Sequence, residues 1–219
     1  MRLLLAEDST FTRIGVTEIL ASAGHEVSAV HDGTALLATI ERLRTGEVAY
    51  DLVVTDVRMP PTHTDEGLRA ALLLQRLPRP VPVLVVSAHI EVGYATELLS
   101  TAPGGVGYLL KDRVVDVADF LGAVDRVAGG GVVVDPEVMR ELIGARAVTR
   151  VLDRLTPRER EVLALMAQGR TNSAIAAELV VSMAAVEKHI GNVFMKLDLS
   201  PDGDAHRRVA AVLTYLQAL

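Results

Sequence analysis

The sequence predicts an α/β protein: a doubly wound, five-stranded parallel sheet followed by a small all-α domain of four helices. Four short apolar runs in the first half carry that expectation: Leu3-Leu4-Leu5-Ala6, Leu52-Val53-Val54-Thr55, Val83-Leu84-Val85-Val86 and Tyr108-Leu109-Leu110. Runs this short and this uniformly apolar read as strands buried on both faces. Each is followed by a residue able to handle phosphate or metal: Glu7 and Asp8, then Asp56, Ser87 and Lys111. Helix-period segments lie between the runs, and strand-helix alternation five times over is the pattern of a doubly wound sheet.

The elements follow in order. Ser9 and Thr10 are capping candidates for a helix over Phe11 to Ala23, and Glu26 to Val30 is the second strand. Glu66 to Leu77 places its apolar residues on one face. The last helix of this part spans about Val115 to Ala128 and stops at Gly129-Gly130-Gly131, because three glycines lose too much backbone entropy inside a helix. The first domain is therefore residues 1–128. Residues 129–152 read as a linker with one short helix, Pro136 to Ile143. A second domain, 153–219, opens at Thr156-Pro157-Arg158-Glu159, where Thr, proline at N1 and Glu at N3 form a capping box. Helices then follow over Asn172 to Leu179, from the Ser182 cap to Leu197, and over Ala205 to Leu219, with a short turn at Val180-Val181.

Composition narrows the function classes. Half of the 219 residues are hydrophobic but only 3% are aromatic, so the cores are built of Leu, Val, Ile and Ala. Cysteine is absent, which removes disulfides, thiolate chemistry and Cys-based zinc sites. The opening apolar run is too short for a signal peptide or a membrane span, so the chain reads as soluble, cytoplasmic and without a membrane partner. The net charge of -6 is uneven. Residues 1–128 hold 11 basic and 17 acidic residues, whereas residues 153–219 hold 8 of each.

In an open parallel sheet, ligands bind outside the carboxyl ends of the strands, so these residues converge on one pocket. Carboxylates of Glu7, Asp8 and Asp56 brought close together repel, and a divalent ion removes the conflict. Oxygen-only ligation with retained waters suits Mg²⁺. Such an ion offsets the charge of an incoming phosphoryl group, letting Asp56 act as a nucleophile and form an acyl phosphate. Lys111 can pair with the transferred group, and the Ser87 hydroxyl can donate a hydrogen bond to it.

These residues resemble the receiver domains of bacterial two-component response regulators. The resemblance rests on the acidic pair, Asp-Val-Arg-Met-Pro at 56–60, Ser-Ala at 87–88 and Gly-Tyr-Leu-Leu-Lys-Asp at 107–112. It implies a flavodoxin-like strand order 2-1-3-4-5, with Asp56 as phosphoacceptor and Mg²⁺ held by Glu7, Asp8, Asp56 and the backbone carbonyl of Arg58. It also implies Ser87 and Lys111 as the groups assisting transfer, and Ser87 with Tyr108 as the switch pair. Two departures flank the pocket: a long loop from Pro60 to Gly67, and the added glycine of Pro103-Gly104-Gly105. His63 and His89 fall near it and read as solvated loop residues.

In the second domain, helix, short turn, helix over about 171–190 is the sequence form of a helix-turn-helix. Val186, Ile190, Val193, Phe194 and Leu197 share a buried stripe, leaving Lys188, Asn192, Met195 and Lys196 facing outward. Thr171, Lys188, His189, Asn192 and Lys196 are the candidate DNA contacts, with His189 bordering the buried stripe. Leu155 to Leu163, Ile175-Ala176, Ser182 and Val186 to His189 resemble the LuxR-type DNA-binding domain. Ala185 and Glu187 depart from it, where threonine and lysine are common. Together the two resemblances point to the NarL/FixJ class of transcription regulators. A cognate sensor histidine kinase, double-stranded promoter DNA with inverted repeats, and a homodimer formed on activation are then the implied partners.

A neutral DNA-binding module is expected to bind weakly alone, and dimerisation is the remedy through effective concentration. One alternative is an interaction switch whose helix-turn-helix does not read DNA; another is constitutive, phosphorylation-independent binding. An aspartyl-phosphate phosphatase, the enzyme alternative, needs an acid two residues after its nucleophile, where this chain has Arg58.

Overall fold

Strands β1 (Arg2–Ala6), β2 (Glu26–Val30), β3 (Leu52–Thr55), β4 (Val83–Ser87) and β5 (Val106–Leu110) form parallel pairs in the expected order. The computed structural model describes residues 1–199 and 206–216 apart from 103 and 115, and not the side chains of 113 and 146–149. The sheet has a sixth strand, not the five expected: β6 (Val132–Val134) joins the open edge of β5, giving the order β2-β1-β3-β4-β5-β6. The triple glycine is a tight turn within the fold. Gly130 takes φ +86°, its carbonyl accepts from Gly105 N–H at 2.9 Å, and Gly131 N–H donates to Arg126 O at 2.8 Å. The chain thereby returns beside β5, where Val132-Val133-Val134 has the β-branched character a strand prefers.

Helices α1 (Thr10–Ser22), α2 (Gly33–Thr45), α3 (Glu66–Gln75), α4 (Val92–Thr101) and α5 (Val117–Ala128) connect the strands. Leu3, Leu52, Val53, Val83 and Leu84 are wholly buried, each contributing about 1.5–3 kcal/mol of transfer free energy. Two clusters, one on each face of the sheet, complete this core. A 3-10 turn over Lys111–Arg113 precedes α5. The expected helix start at Val115 lies outside the described residues.

Helix α6 (Pro136–Leu152) is a 17-residue helix, longer than the expected Pro136 to Ile143. Asp135 is buried, its N–H donates to Tyr108 O at 2.9 Å and its carboxylate accepts from Glu137 N–H at 2.8 Å. So the presumed linker is sheet edge and helix, and the chain divides into compact units at Met1–Leu142 and Ile143–Leu219.

The second unit holds α7 (Pro157–Ala167), α8 (Asn172–Glu178), α9 (Met183–Lys196) and α10 (Arg207–Leu216) around Val162, Leu163, Ile175, Val186 and Val193. Both bonds of the Thr156–Glu159 capping box are present. The expected ends of the last helix, Ala205 and 217–219, lie outside the described residues. Among the described residues no helix is long and apolar enough to cross a membrane.

Candidate functional site

The carboxyl edge of the sheet gathers the pocket. β1 delivers Glu7, β3 delivers Asp56 and β5 delivers Lys111, whose ammonium lies 2.6 Å from Asp56 Oδ2 and 2.7 Å from Glu7 Oε2. One carboxylate oxygen from each of Glu7, Asp8 and Asp56 can be chosen so that all lie within 4.8 Å of one another. Opposite oxygens around a cation with bonds of about 2.1 Å stand about 4.2 Å apart, so this oxygen-only set fits Mg²⁺ after a small closure.

Burial pushes the Glu7 carboxyl up, and the charge of Asp56 adds to that, against the hydrogen bond and charge of Lys111. Burial likewise opposes the charge on Lys111, but the hydrogen bonds to Asp56 and Glu7 hold its ammonium above the usual lysine range. One cation therefore serves two acids, leaving the three-carboxylate pocket with net negative charge. That is the electrostatic demand a divalent ion meets.

Backbone contacts fix these side chains. Asp56 N–H donates to Ala6 O at 2.8 Å, and Val57 N–H donates to Asp56 Oδ1 at 2.6 Å. Arg13 on α1 donates to the carbonyls of Glu7 at 2.8 Å and Asp8 at 3.0 Å, holding the β1–α1 loop. Gly67 crosses so close to Asp56 that a Cβ would stand 1.6 Å from its carbonyl oxygen.

Ser87 is buried beside the pocket, and its Oγ accepts from His89 N–H at 3.1 Å. Tyr108 is fully buried. Its hydroxyl donates to His89 O at 2.9 Å and accepts from Glu91 N–H at 3.3 Å. Burial raises its phenol above the usual tyrosine range. Ser87 and Tyr108 thus hold the same short segment, 89–91. The side chain of Arg58 pairs with Glu91 at 2.6 Å, adding a third hold on that segment. His63 Nδ1 lies 3.7 Å from Asp8 Oδ2, and both His63 and His89 are exposed.

The long loop before α3 is organised by Glu66, which sequence reasoning passed over. This carboxylate is buried at 4% exposure and accepts from the N–H groups of Thr62 and Thr64, both at 3.0 Å, and from the Thr62 hydroxyl. Burial works against its charge, yet those donors hold it down to about 2. A charged residue followed by glycine at a helix start was the available signal, since helix N-termini favour acids.

In the second unit, Thr171 caps α8 through Ala174 N–H at 3.2 Å and Ser182 caps α9 through Ala185 N–H at 3.2 Å. Lys188 is exposed, Asn192 is half-buried, and His189 is half-buried with its Nδ1 enclosed and without a hydrogen bond. Met195 is exposed, as expected. Lys196 departs from the outward reading: its ammonium lies 2.7 Å from buried Glu159. Burial pushes the Glu159 carboxyl up, but Lys196 and Thr156 more than offset it and hold it below the usual range. The reason is positional, because Lys196 stands next to the buried Leu197 and within reach of the α7 capping box. Arg158, named in the sequence only as part of the capping-box run, and Arg208, passed over there, brace the motif by donating to Leu179 O at 2.8 Å and to Asn172 Oδ1 at 2.8 Å.

Comparison with known proteins agrees with both halves. Residues 3–124 match the family described as response regulator receiver domain, and residues 153–212 match bacterial regulatory proteins of the luxR family. The transcriptional regulatory protein DegU of Brevibacillus brevis is 31% identical over 221 residues, spanning 91% of this chain and 89% of DegU. The nitrate/nitrite response regulator protein NarL of Escherichia coli K12 is 31% identical over 205 residues, spanning 90% and 89%. Among solved structures, RcsB of Salmonella typhimurium has a TM-score of 0.68 at 23% identity, covering 99% of this chain and 98% of its own. A structure of two RcsB dimers bound to two parallel DNAs has a TM-score of 0.61 at 23% identity, covering 100% and 98%. A receiver-type sheet joined to a LuxR-type helical domain defines a two-component response regulator. The chain belongs to the NarL/FixJ class of these regulators.

Proposed function

We propose that this regulator accepts a phosphoryl group from a sensor histidine kinase on Asp56, with Mg²⁺, and in that form dimerises and binds promoter DNA. The observation that carries the reading is Lys111 Nζ, 2.6 Å from Asp56 Oδ2 beside the Glu7, Asp8 and Asp56 oxygens. An Asp56 carboxylate oxygen attacks phosphorus, the P–N bond of the donor phosphohistidine breaks, and the imidazole leaves. Glu7, Asp8, Asp56 and the Arg58 carbonyl would hold Mg²⁺, which would supply charge neutralisation at the phosphoryl oxygens. Lys111 exchanges a carboxylate oxygen for a phosphoryl oxygen. Ser87 Oγ turns to donate to the same group and gives up the His89 N–H it accepts at 3.1 Å. That release frees one hold on segment 89–91, and Tyr108, bonded to His89 O, transmits it.

At the DNA, Thr171, Lys188, His189 and Asn192 are the contacts we favour, with Lys196 serving the domain's own stability. The solved RcsB dimers bound to DNA support a DNA-bound dimer, and a regulator of promoters that receives its phosphoryl group from a kinase fits a cytoplasmic protein. The phosphatase alternative loses its support at Arg58, a base where an acid is needed. The test is treatment of the chain with a small-molecule phosphodonor and Mg²⁺. The expected result is a mass gain of one phosphoryl group that Asp56→Ala abolishes, with tighter DNA binding and a dimer in solution. A gain that survives Asp56→Ala overturns the assignment.

A further inference from the structure

Helix α9 carries an exposed stripe opposite its buried one. Val186, Ile190, Val193 and Leu197 are buried, while Ala184, Glu187, Lys188, Gly191 and Met195 are exposed. At about 100° per residue, Ala184, Gly191 and Met195 run down the middle of that stripe, and Glu187 and Lys188 flank it on opposite sides.

Glu187 differs from the other acids of its domain. Asp153, Glu159, Glu161, Glu178 and Asp198 each have a cation within 4 Å, being paired with Arg160, Lys196, Arg158, Arg170 and Arg154. Among the described residues of this domain Glu187 alone has none. An unpaired carboxylate on a face that meets phosphates lowers non-specific affinity, so its presence there calls for a compensating donor. Gly191 lies on the same stripe. Glycine inside a helix is destabilising relative to alanine, yet a Cβ there would meet nothing within 4 Å. Gly15, Gly93, Gly122 and Gly144 in other helices are equally open, so Gly191 is not itself a mark of a ligand; on this face it leaves room for one to approach the helix backbone.

We propose that Glu187 is a specificity-determining residue that reads cytosine, its carboxylate accepting from the exocyclic N4 amino group in the major groove. This deepens the DNA-binding reading above and rests on it. Adenine also presents an amino group in that groove, but beside its N7 acceptor, which repels a carboxylate; cytosine presents the donor without it. Ala184 and Gly191 allow the approach that so short an acid needs, and Lys188 on the other flank meets a phosphate or a guanine edge.

The experiment uses the full chain with Mg²⁺ and a small-molecule phosphodonor, selecting from a random duplex library. Wild type is expected to enrich a site with one fixed cytosine per half-site. Glu187→Gln moves that position to adenine, because an amide pairs with N6 and N7. Glu187→Ala leaves it unspecified, reducing a cytosine preference of about tenfold to less than about twofold, with the rest of the site retained. Gly191→Ala keeps the melting temperature or raises it and weakens binding at least about fivefold. The same cytosine in every variant, or a uniform gain in affinity for all duplexes in Glu187→Ala, overturns the proposal while leaving DNA binding intact. A folded wild-type chain that enriches no site overturns the DNA-binding reading and this inference with it.

Discussion

Gly67 lies against Asp56 so closely that its missing Cβ would stand 1.6 Å from the Asp56 carbonyl oxygen and 2.7 Å from the carbonyl carbon. The obstruction is backbone, which cannot swing aside as a side chain can. Gly67→Ala is therefore expected to move the Asp56 peptide, destabilise the first unit by about 1–3 kcal/mol and slow phosphodonor labelling at least tenfold. Gly15→Ala on exposed α1, where a Cβ meets nothing within 4 Å, is the control and should leave labelling unchanged. Thermal melts and labelling rates measured side by side check both; equal rates in the two variants would sink the packing argument.

Removing Lys111 leaves Glu7 and Asp56 to repel each other without their shared cation. Lys111→Met should fold less stably by about 1–3 kcal/mol in the absence of metal, less than a wholly buried pair because the lysine is 27% exposed. Added Mg²⁺ should return most of the loss, since the ion supplies the missing charge, while labelling of Asp56 stays slow. Melting curves with and without Mg²⁺ distinguish this from simple misfolding, which the ion would not repair.

Glu66 gives a pH dependence with a definite sign. Its folded carboxyl, held at about 2 against an ordinary 4.5, contributes stability that is present above pH 4.5 and lost as pH falls through that window toward 2. Glu66→Gln should cost on the order of 2 kcal/mol at pH 7 and progressively less in acid. Denaturant titrations at pH 7 and pH 3 read the difference. A variant penalty that is the same at both values would contradict the assignment of that stability to the charged carboxylate.

Tyr108 should couple the pocket to the output without being needed for chemistry. Tyr108→Phe removes the bond to His89 O and the acceptor for Glu91 N–H, at a stability cost of about 1 kcal/mol. Phosphorylation of Asp56 should proceed within about twofold of wild type while the phosphorylation-dependent rise in DNA affinity shrinks several-fold. Binding isotherms for phosphorylated and unphosphorylated protein decide the point.

Strand ends were legible in the sequence because a two-sided buried strand leaves an apolar run, and the residue after it must be functional or a cap. Glu7, Asp56, Ser87 and Lys111 fall together for that reason. Strand β6 was not legible. Three valines are too few to show a period, and the glycines before them signal a break whether the chain leaves the fold or turns back into it. Glu66 and Arg13 escaped because their partners are backbone groups, which sequence patterning does not display. Lys196 was misread because helical spacing tells which residues leave the buried stripe, but not that a lysine at its border finds a buried carboxylate on a neighbouring helix.

The last prediction separates Lys196 from Lys188. Lys196 meets Glu159, which is 3% exposed and also closes the Thr156 capping box, so Lys196→Ala leaves a buried carboxylate with a lost partner. We expect a loss of about 1–3 kcal/mol in the second unit and, in the folded fraction, DNA affinity within about threefold of wild type with an unchanged salt slope. Lys188 is exposed, where its ammonium can meet phosphate. Lys188→Ala should leave the melting temperature alone, weaken binding across sequences and lower the salt slope by about one if phosphate is its partner. A base contact would instead relax one position of the site and spare the slope. Binding measured over a range of salt, beside thermal melts of each variant, tells these apart, because a lysine that stabilises the domain and a lysine that touches DNA cannot produce the same pair of readings.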